Sequence, residues 1–273
     1  MKQLLTLTLF LFSILISVST SAQDSTRVIR VKTSDGTYGE EVEVRINDGI
    51  YVKVNDHDEV DIKISSNLRF GMIDLGVSTY RHNETGFNLP SELDFMDQRL
   101  IKSTNININL IRHRLPFAKD KLGFEYGITI MSNKYFFENN FRVLDNQESF
   151  LDAVQLTDEN FRKNRLTADY LVIPVNFVFR SNPGDLGNSL NIGLGGYGGF
   201  LMSSNHKIKG GDLDGKVKTK DDFGLTKFVA GLEARLGFGP VNLYAQYALT
   251  DMFRPDRGPD LRQFNFGVTI LPY

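Results

Sequence analysis

The sequence predicts an all-β fold: an antiparallel up-and-down barrel of about eight strands that crosses a membrane, preceded by a short N-terminal β segment. Three observations predict it. Apolar-alternating segments recur eight times, and the connections between them alternate long and short. The polar face of these segments carries Asn, Gly, Ser and a few charges, where a water-facing sheet would carry lysine.

The chain opens with MKQLLTLTLFLFSILISVSTSAQ, in which Lys2 precedes a largely apolar run from Leu4 to Val18. Thr20 and Ala22 stand where an A-x-A-like cleavage site needs small side chains. Residues 1–22 are therefore predicted to be a signal peptide, because the apolar run is shorter than the ~20 residues of a spanning helix. Residues 23–66 follow as a polar, β-rich periplasmic segment. RVIRVKT, EVEVRI, IYVKVN and VDIKIS alternate, with Glu41, Glu43, Arg45, Lys53, Asp61 and Lys63 on one face, and Asn47-Asp48-Gly49 is a hairpin turn signal.

The barrel is predicted over residues 67–273. Its strands are expected at Leu68–Tyr80, Lys102–Arg114, Lys121–Phe136, Leu166–Arg180, Ser189–Ser203, Phe223–Gly239, Val241–Met252 and Arg262–Leu271. The hairpin Ser103–Met131 shows the pattern well. Ile106, Ile108 and Leu110 share one face and Asn105, Asn107 and Asn109 the other, while Phe124, Tyr126 and Ile128 oppose Glu125, Gly127 and Thr129. Long connections are His82–Ile101, Phe137–Arg165, Ser204–Asp222 and Phe253–Leu261; short ones are Leu115–Asp120, Ser181–Asn188 and Gly239-Pro240. Short turns on one rim and long loops on the other are the habit of outer-membrane barrels, with an even strand number returning both termini to the periplasmic side.

The polar face fixes which side meets lipid. It runs Asp74, Gly76, Ser78; Asn105, Asn107, Asn109; Glu125, Gly127; Asn191, Gly193, Gly195, Tyr197; Gly231, Glu233, Arg235; Asn242, Tyr244, Gln246; Asn265, Gly267, with Lys227 the main lysine. Such residues fill a narrow interior, so Ile73, Leu75, Leu194, Leu232, Leu243, Phe266 and Ile270 would face lipid. Asp74, Asn107, Glu125, Glu233, Arg235 and Gln246 fall at similar depth. Buried charges must be paired, and the expectation is a structural polar network in which Arg235 bridges Asp74, Glu125 and Glu233.

Composition narrows function by exclusion. The 273 residues carry 31 basic and 33 acidic side chains, a formal charge of −2, which gives no electrostatic footprint for nucleic acid. Cysteine is absent, so disulfides, thiolate catalysis and Cys-ligated metals are out. Gly193 to Gly198 fits G-x-G-x-x-G, but Phe200-Leu-Met-Ser-Ser continues as strand where a dinucleotide site needs a helix. Asp212-Leu-Asp214-Gly215 and Asp56-His57-Asp58-Glu59 resemble calcium-binding turns without the full ligand spacing. His57, His82, His113 and His206 are dispersed, and neither H-E-x-x-H nor G-x-S-x-G occurs. No catalytic residue, metal or cofactor is therefore expected.

Several segments together, FGMIDLGVSTY, STNININL, LGFEYGITIMSNKYFF, LTADYLVIPVNFVF, KFVAGLEARLGFGPVNLYAQYALTDMF and GPDLRQFNFGVTILPY, resemble the small outer-membrane β-barrel family of Bacteroidota often labelled PorT-like. The resemblance covers about three quarters of the chain and implies a barrel in the outer membrane, with no catalytic residues to transfer. It also implies outer-membrane lipid and the barrel-insertion machinery as partners. Tyr273 is a terminal aromatic of the kind insertion signals use, but it is out of phase with Phe264, Phe266, Val268 and Ile270. The expected role is a non-enzymatic structural or surface-interaction protein, with Phe137–Arg165 and Ser204–Asp222 as the foremost contact loops. The alternatives are a barrel hydrolase using His82 and His206 at the outward rim, or a narrow channel.

Overall fold

The computed structural model describes residues 26–32, 38–46, 50–54, 60–64, 68–139, 141–142, 154–155, 161–210, 216–239 and 241–270. The predicted signal peptide, the Asn47-Asp48-Gly49 turn, both acidic turns and Tyr273 lie outside them. The chain divides into two units, residues 1–66 and 67–273. In the first, strands β1 (Thr26–Lys32), β2 (Tyr38–Ile46), β3 (Ile50–Val54) and β4 (Val60–Ile64) form an antiparallel meander in sequence order.

The second unit is a closed barrel. Its eight wall strands are β5 (Leu68–His82), β6 (Thr104–Phe117), β7 (Leu122–Phe136), β10 (Phe161–Arg180), β11 (Leu190–Gly210), β13 (Phe228–Phe238), β14 (Val241–Ala248) and β15 (Leu261–Ile270). Each pairs antiparallel with its neighbours in that order, and β15 closes on β5. Closure of β15 on β5 removes the free sheet edges that an open sheet would present to lipid. Two small additions sit at the long-loop end: a miniature hairpin of β8 (Phe141–Arg142) and β9 (Val154–Gln155), and β12 (Lys216–Thr219), which lengthens the sheet beside β11.

Period-two alternation produces the two faces. On β10, Leu171, Ile173, Val175, Phe177 and Phe179 are exposed on the outer wall, while Tyr170, Val172, Asn176 and Val178 are buried inside. That apolar row is about 27 Å long at the rise of a strand. At the usual 35–45° tilt it covers roughly 20 Å of depth, close to the apolar band of an outer-membrane barrel. Ile73, Leu75, Ile108, Leu194, Leu232, Leu243, Phe266 and Ile270 continue the belt around the wall. No helix among the described residues is long and apolar enough to cross a membrane.

Two departures from simple alternation matter. The ladder between β6 and β7 shifts between Asn109 and Ile111, so Leu110 is an extra residue. The shift reverses the parity of β6: Asn105, Asn107 and Asn109 point inward above it, and Arg112 and Arg114 point inward below it. Across from Leu110, Gly71 adopts φ +65°, a left-handed backbone that suits glycine, and the same reversal turns Arg69 toward the interior. The second departure is at the predicted Phe223–Gly239 strand, which begins only at Phe228. Phe223 (φ +50°) and Gly224 (φ +68°) form a turn that strand geometry cannot include, which leaves Lys227 exposed and outside the polar face.

Arginine in place of Ile173, 57% exposed in mid-belt, should lower folding stability in lipid vesicles by about 2–4 kcal/mol. The same change at Ser203, above the belt, should cost at most about 1 kcal/mol. Urea titration followed by the heat-dependent gel shift of the folded barrel measures both, and equal costs would reverse the assignment of faces.

Candidate functional site: a cross-braced interior and an apolar plug

The interior has two layers. At the short-turn end it is polar and charged, and its centre is the buried carboxylate of Glu233 on β13. Glu233 Oε1 accepts from Arg235 Nε at 2.9 Å, from Arg112 Nη1 at 3.2 Å and Nη2 at 3.3 Å, and from Asn176 Nδ2 at 2.6 Å. Its Oε2 accepts from Gln246 Nε2 at 2.7 Å. Arg235 continues to Asp74, with Nη2 2.8 Å from Oδ2 and Nη1 3.2 Å from Oδ1. Asp74 also accepts from Thr269 Oγ1 at 2.7 Å and Asn107 Nδ2 at 3.3 Å.

Asp74, Asn107, Glu125, Glu233, Arg235 and Gln246 all line one interior. The predicted wiring needs one correction. Arg235 bridges Asp74 and Glu233 but not Glu125, which pairs with Arg112 at 3.4 Å and with Arg69. The reason is the extra residue at Leu110. Unbroken alternation would aim Arg112 at lipid, and the reversed parity aims it at the acids instead. Three guanidinium groups (Arg69, Arg112, Arg235) thus meet three carboxylates (Asp74, Glu125, Glu233), and the cluster is neutral. A second set at the rim joins Arg114 to Asp120, with Arg180 3.9 Å from the same carboxylate. Arg69, Arg180, Arg235 and Glu125 line a recess of about 120 Å³ at this end.

The bonds run across the barrel as well as along its wall. β6 and β13 are diametrically opposed, with three strands between them in either direction, so Arg112–Glu233 spans the interior. Asn107 Nδ2 donates to Gln246 Oε1 at 3.3 Å, and Tyr244 Oη donates to Asn105 Oδ1 at 2.6 Å. Gly76 and Gly267 pair across β5 and β15 beneath that tyrosine. A Cβ on Gly76 would run into the Phe266 backbone carbonyl of β15 and lie 2.5 Å from the Tyr244 hydroxyl, so a larger residue would force the neighbouring strand as well as the ring to shift. The chain of amides climbs through Asn105, Asn133 and Gln263 to the Tyr170 hydroxyl, which accepts from Gln263 Nε2 at 3.0 Å.

Above Tyr170 the filling becomes apolar. All four long loops send side chains into one cluster: Leu93, Phe95 and Met96; Phe137 and Phe141; Phe223 and Leu225; Met252 and Phe253. They pack on Tyr80, Met131, Tyr135, Leu166, Tyr170 and Val229 of the wall. Phe141 meets Phe137 and Phe95 edge-on at 4.8 and 5.3 Å between centroids. Asn164 fastens that loop by donating to the carbonyls of Phe141 and Asn139 at 2.9 and 3.0 Å, and the Tyr80 hydroxyl donates to the Met96 carbonyl.

The two histidines considered for hydrolysis have different settings. His206 is buried in the plug, stacked on Phe141 with Nε2 2.6 Å from Asn164 Oδ1. His82 caps its own turn, with Nδ1 accepting from the amides of Glu84 and Thr85. Gly193–Gly198 lies within β11, as a strand, not at a helix start. No group of described His, Cys, Asp and Glu is arranged to hold a metal ion.

With this geometry in view, a family model described as outer membrane protein beta-barrel domain matches residues 63–254. The chain belongs to that family. The match runs from the end of the N-terminal unit to the last long loop and leaves β15 beyond it. Neither the curated proteins nor the solved structures searched contain a match. Family membership places the chain among outer-membrane barrels, with the apolar belt as its lipid surface.

Replacing Arg112 with Ala takes one of two cationic partners from both Glu125 and Glu233 and leaves the buried cluster one positive charge short, which should cost about 3–5 kcal/mol, as partner removal from buried pairs does. Arg235→Ala should lower the melting temperature similarly. A double-mutant cycle of Arg112→Ala with Glu233→Gln should show coupling of at least about 1 kcal/mol, and strict additivity would show that the two side chains do not interact.

Proposed function

We propose that this barrel is a non-enzymatic structural or surface-interaction protein of the outer membrane, exported by its signal peptide, with the long loops turned outward and the short turns toward the periplasm. The observation that carries this reading is the double filling of the interior. Hydrogen bonds between opposed strands brace the lower half, and the loops themselves close the upper half with aromatic side chains. Among the described residues these two layers fill the interior, which argues against an open aqueous path, and the loops are anchored at their bases, so their remaining residues form a supported outer surface. The segments quoted from FGMIDLGVSTY onward support placing it in the PorT-like group of Bacteroidota. Parts of the two loops favoured for contacts, residues 143–153, 156–160 and 211–215, lie outside the described residues.

The absence of native cysteine makes the orientation testable. Ser91→Cys in the first long loop should react with a membrane-impermeant maleimide on intact cells, whereas Lys119→Cys in a short turn should react only after permeabilisation. The opposite pattern would invert the barrel. In planar bilayers the purified protein should show no steady conductance, and a reproducible open level would replace the structural reading with the channel.

A further inference from the structure

Above the apolar belt, the outer wall at the long-loop end carries a ladder of cations. β10 and β11 continue beyond the belt, and β12 adds a third strand beside them. Register sets Lys163 opposite Lys209 and Lys209 opposite Lys216, and it sets Arg165 opposite Lys207 and Lys207 opposite Lys218. Two rows of three cations therefore stand one step apart on the same face. Lys134 of β7, opposite Thr167, extends the patch. The alternate residues Asn164, Leu166, His206 and Ile208 are buried inside, so the ladder faces away from the barrel axis.

Like charges directly opposed destabilise a sheet, and Lys163 is repelled by Arg165, Lys134, Lys216 and Lys209. No acid occupies either row. Asp169, the acid below them on β10, attracts Arg165 and also accepts from Ser132 Oγ at 2.6 Å and Ser203 Oγ at 3.4 Å, so it offsets one of the six charges at most. Phe136 lies among the cations, with Lys163 Nζ 5.2 Å and Arg165 Cζ 5.5 Å from its ring centroid. Arg165 Nε is buried with no hydrogen-bond partner. The repulsion is relieved if an anion lies across the rows.

We propose that this ladder binds phosphorylated lipid headgroups of the leaflet around the long-loop rim. Its position selects the ligand. It stands on the outer wall, and directly below it on the same strands Leu171, Ile173, Phe200 and Met202 are exposed to the hydrocarbon. A molecule bound there touches cations with one end and the apolar belt with the other, which describes an anionic lipid. Six cations in two rows suit a head with more than one phosphate. The proposal requires only that the barrel sits in lipid, so it stands or falls separately from the orientation.

The test uses the full chain folded in neutral detergent, with bisphosphorylated lipid A as probe beside its dephosphorylated form and inorganic phosphate. Lipid A should remain with the protein through gel filtration and raise its unfolding temperature. The dephosphorylated form and inorganic phosphate should do neither. The variant Lys163→Gln/Arg165→Gln/Lys207→Gln/Lys209→Gln should retain at least ~10-fold less lipid A, given about 1 kcal/mol per cation at an anionic surface, while keeping the gel shift of a folded barrel. Lys119→Gln/Lys121→Gln, at the opposite rim, should retain it fully. If the quadruple variant does not fold, raising NaCl on the native protein should release the lipid. Equal retention of the dephosphorylated lipid, an equal thermal shift from inorganic phosphate, or retention indifferent to both mutation and salt would overturn the proposal.

Discussion

The carboxylate of Glu233 is the constraint on which the rest of the barrel depends. An ionised carboxylate out of water is tolerable only when paired and hydrogen-bonded. Glu233 draws its partners from β6, β10, β14 and its own strand. Those partners stand on opposite walls, so satisfying one group fixes the width of the barrel and the relative height of four strands. A slip of one residue in any of them would turn its inward donor toward lipid and leave the carboxylate short of a partner. Buried ionic networks are weak contributors to net stability but can specify arrangement, and here the arrangement specified is the register of the wall.

The upper half solves the same filling problem by different chemistry. There the wall contributes tyrosines, methionine and leucine, and the missing volume comes from loops. Nine apolar residues from the four long loops converge on one cluster, which ties connections far apart in sequence to a common centre. The loops are therefore both part of the core and the surface of the protein. Aromatic packing secures their bases and leaves their outer residues free to vary in sequence.

Much of this was legible in the sequence because a strand's period of two is strict and a lipid belt leaves little room for polar residues. The faces of β7, β10, β13 and β15 follow from alternation alone, as do Asp74, Glu125 and Glu233 inside. Alternation fails where one residue is inserted. Leu110 is an unremarkable leucine, and nothing in its own chemistry announces the shift. The signal was two positions further on: Arg112 and Arg114 fell on the presumed lipid row, which charge does not tolerate at that depth. Two misplaced arginines beyond a glycine-bearing partner strand are the mark of a register change. The plug was hidden for a different reason, since Phe95, Phe141, Phe223 and Phe253 lie in connections without periodicity, and only closure of the barrel brings them together.

The barrel treats charge in two opposite ways, and the contrast bears on what surrounds it. In the central cluster, three cations meet three anions, and a parity reversal at Leu110 and Gly71 completes the balance. The same chain leaves an excess of cations on the described strands of its outer wall. There, β10, β11 and β12 set cation against cation in successive registers, at the height where the apolar belt ends. Lysine stays charged at low cost where water reaches it, but opposed lysines in adjacent strands raise that cost with every pair. The deepest charges, Asp74, Arg112 and Glu233, are sealed from solvent and are balanced by the chain itself. The outer wall faces a membrane, so its balance can come from the lipid, and the two arrangements obey one electrostatic rule applied to two different surroundings.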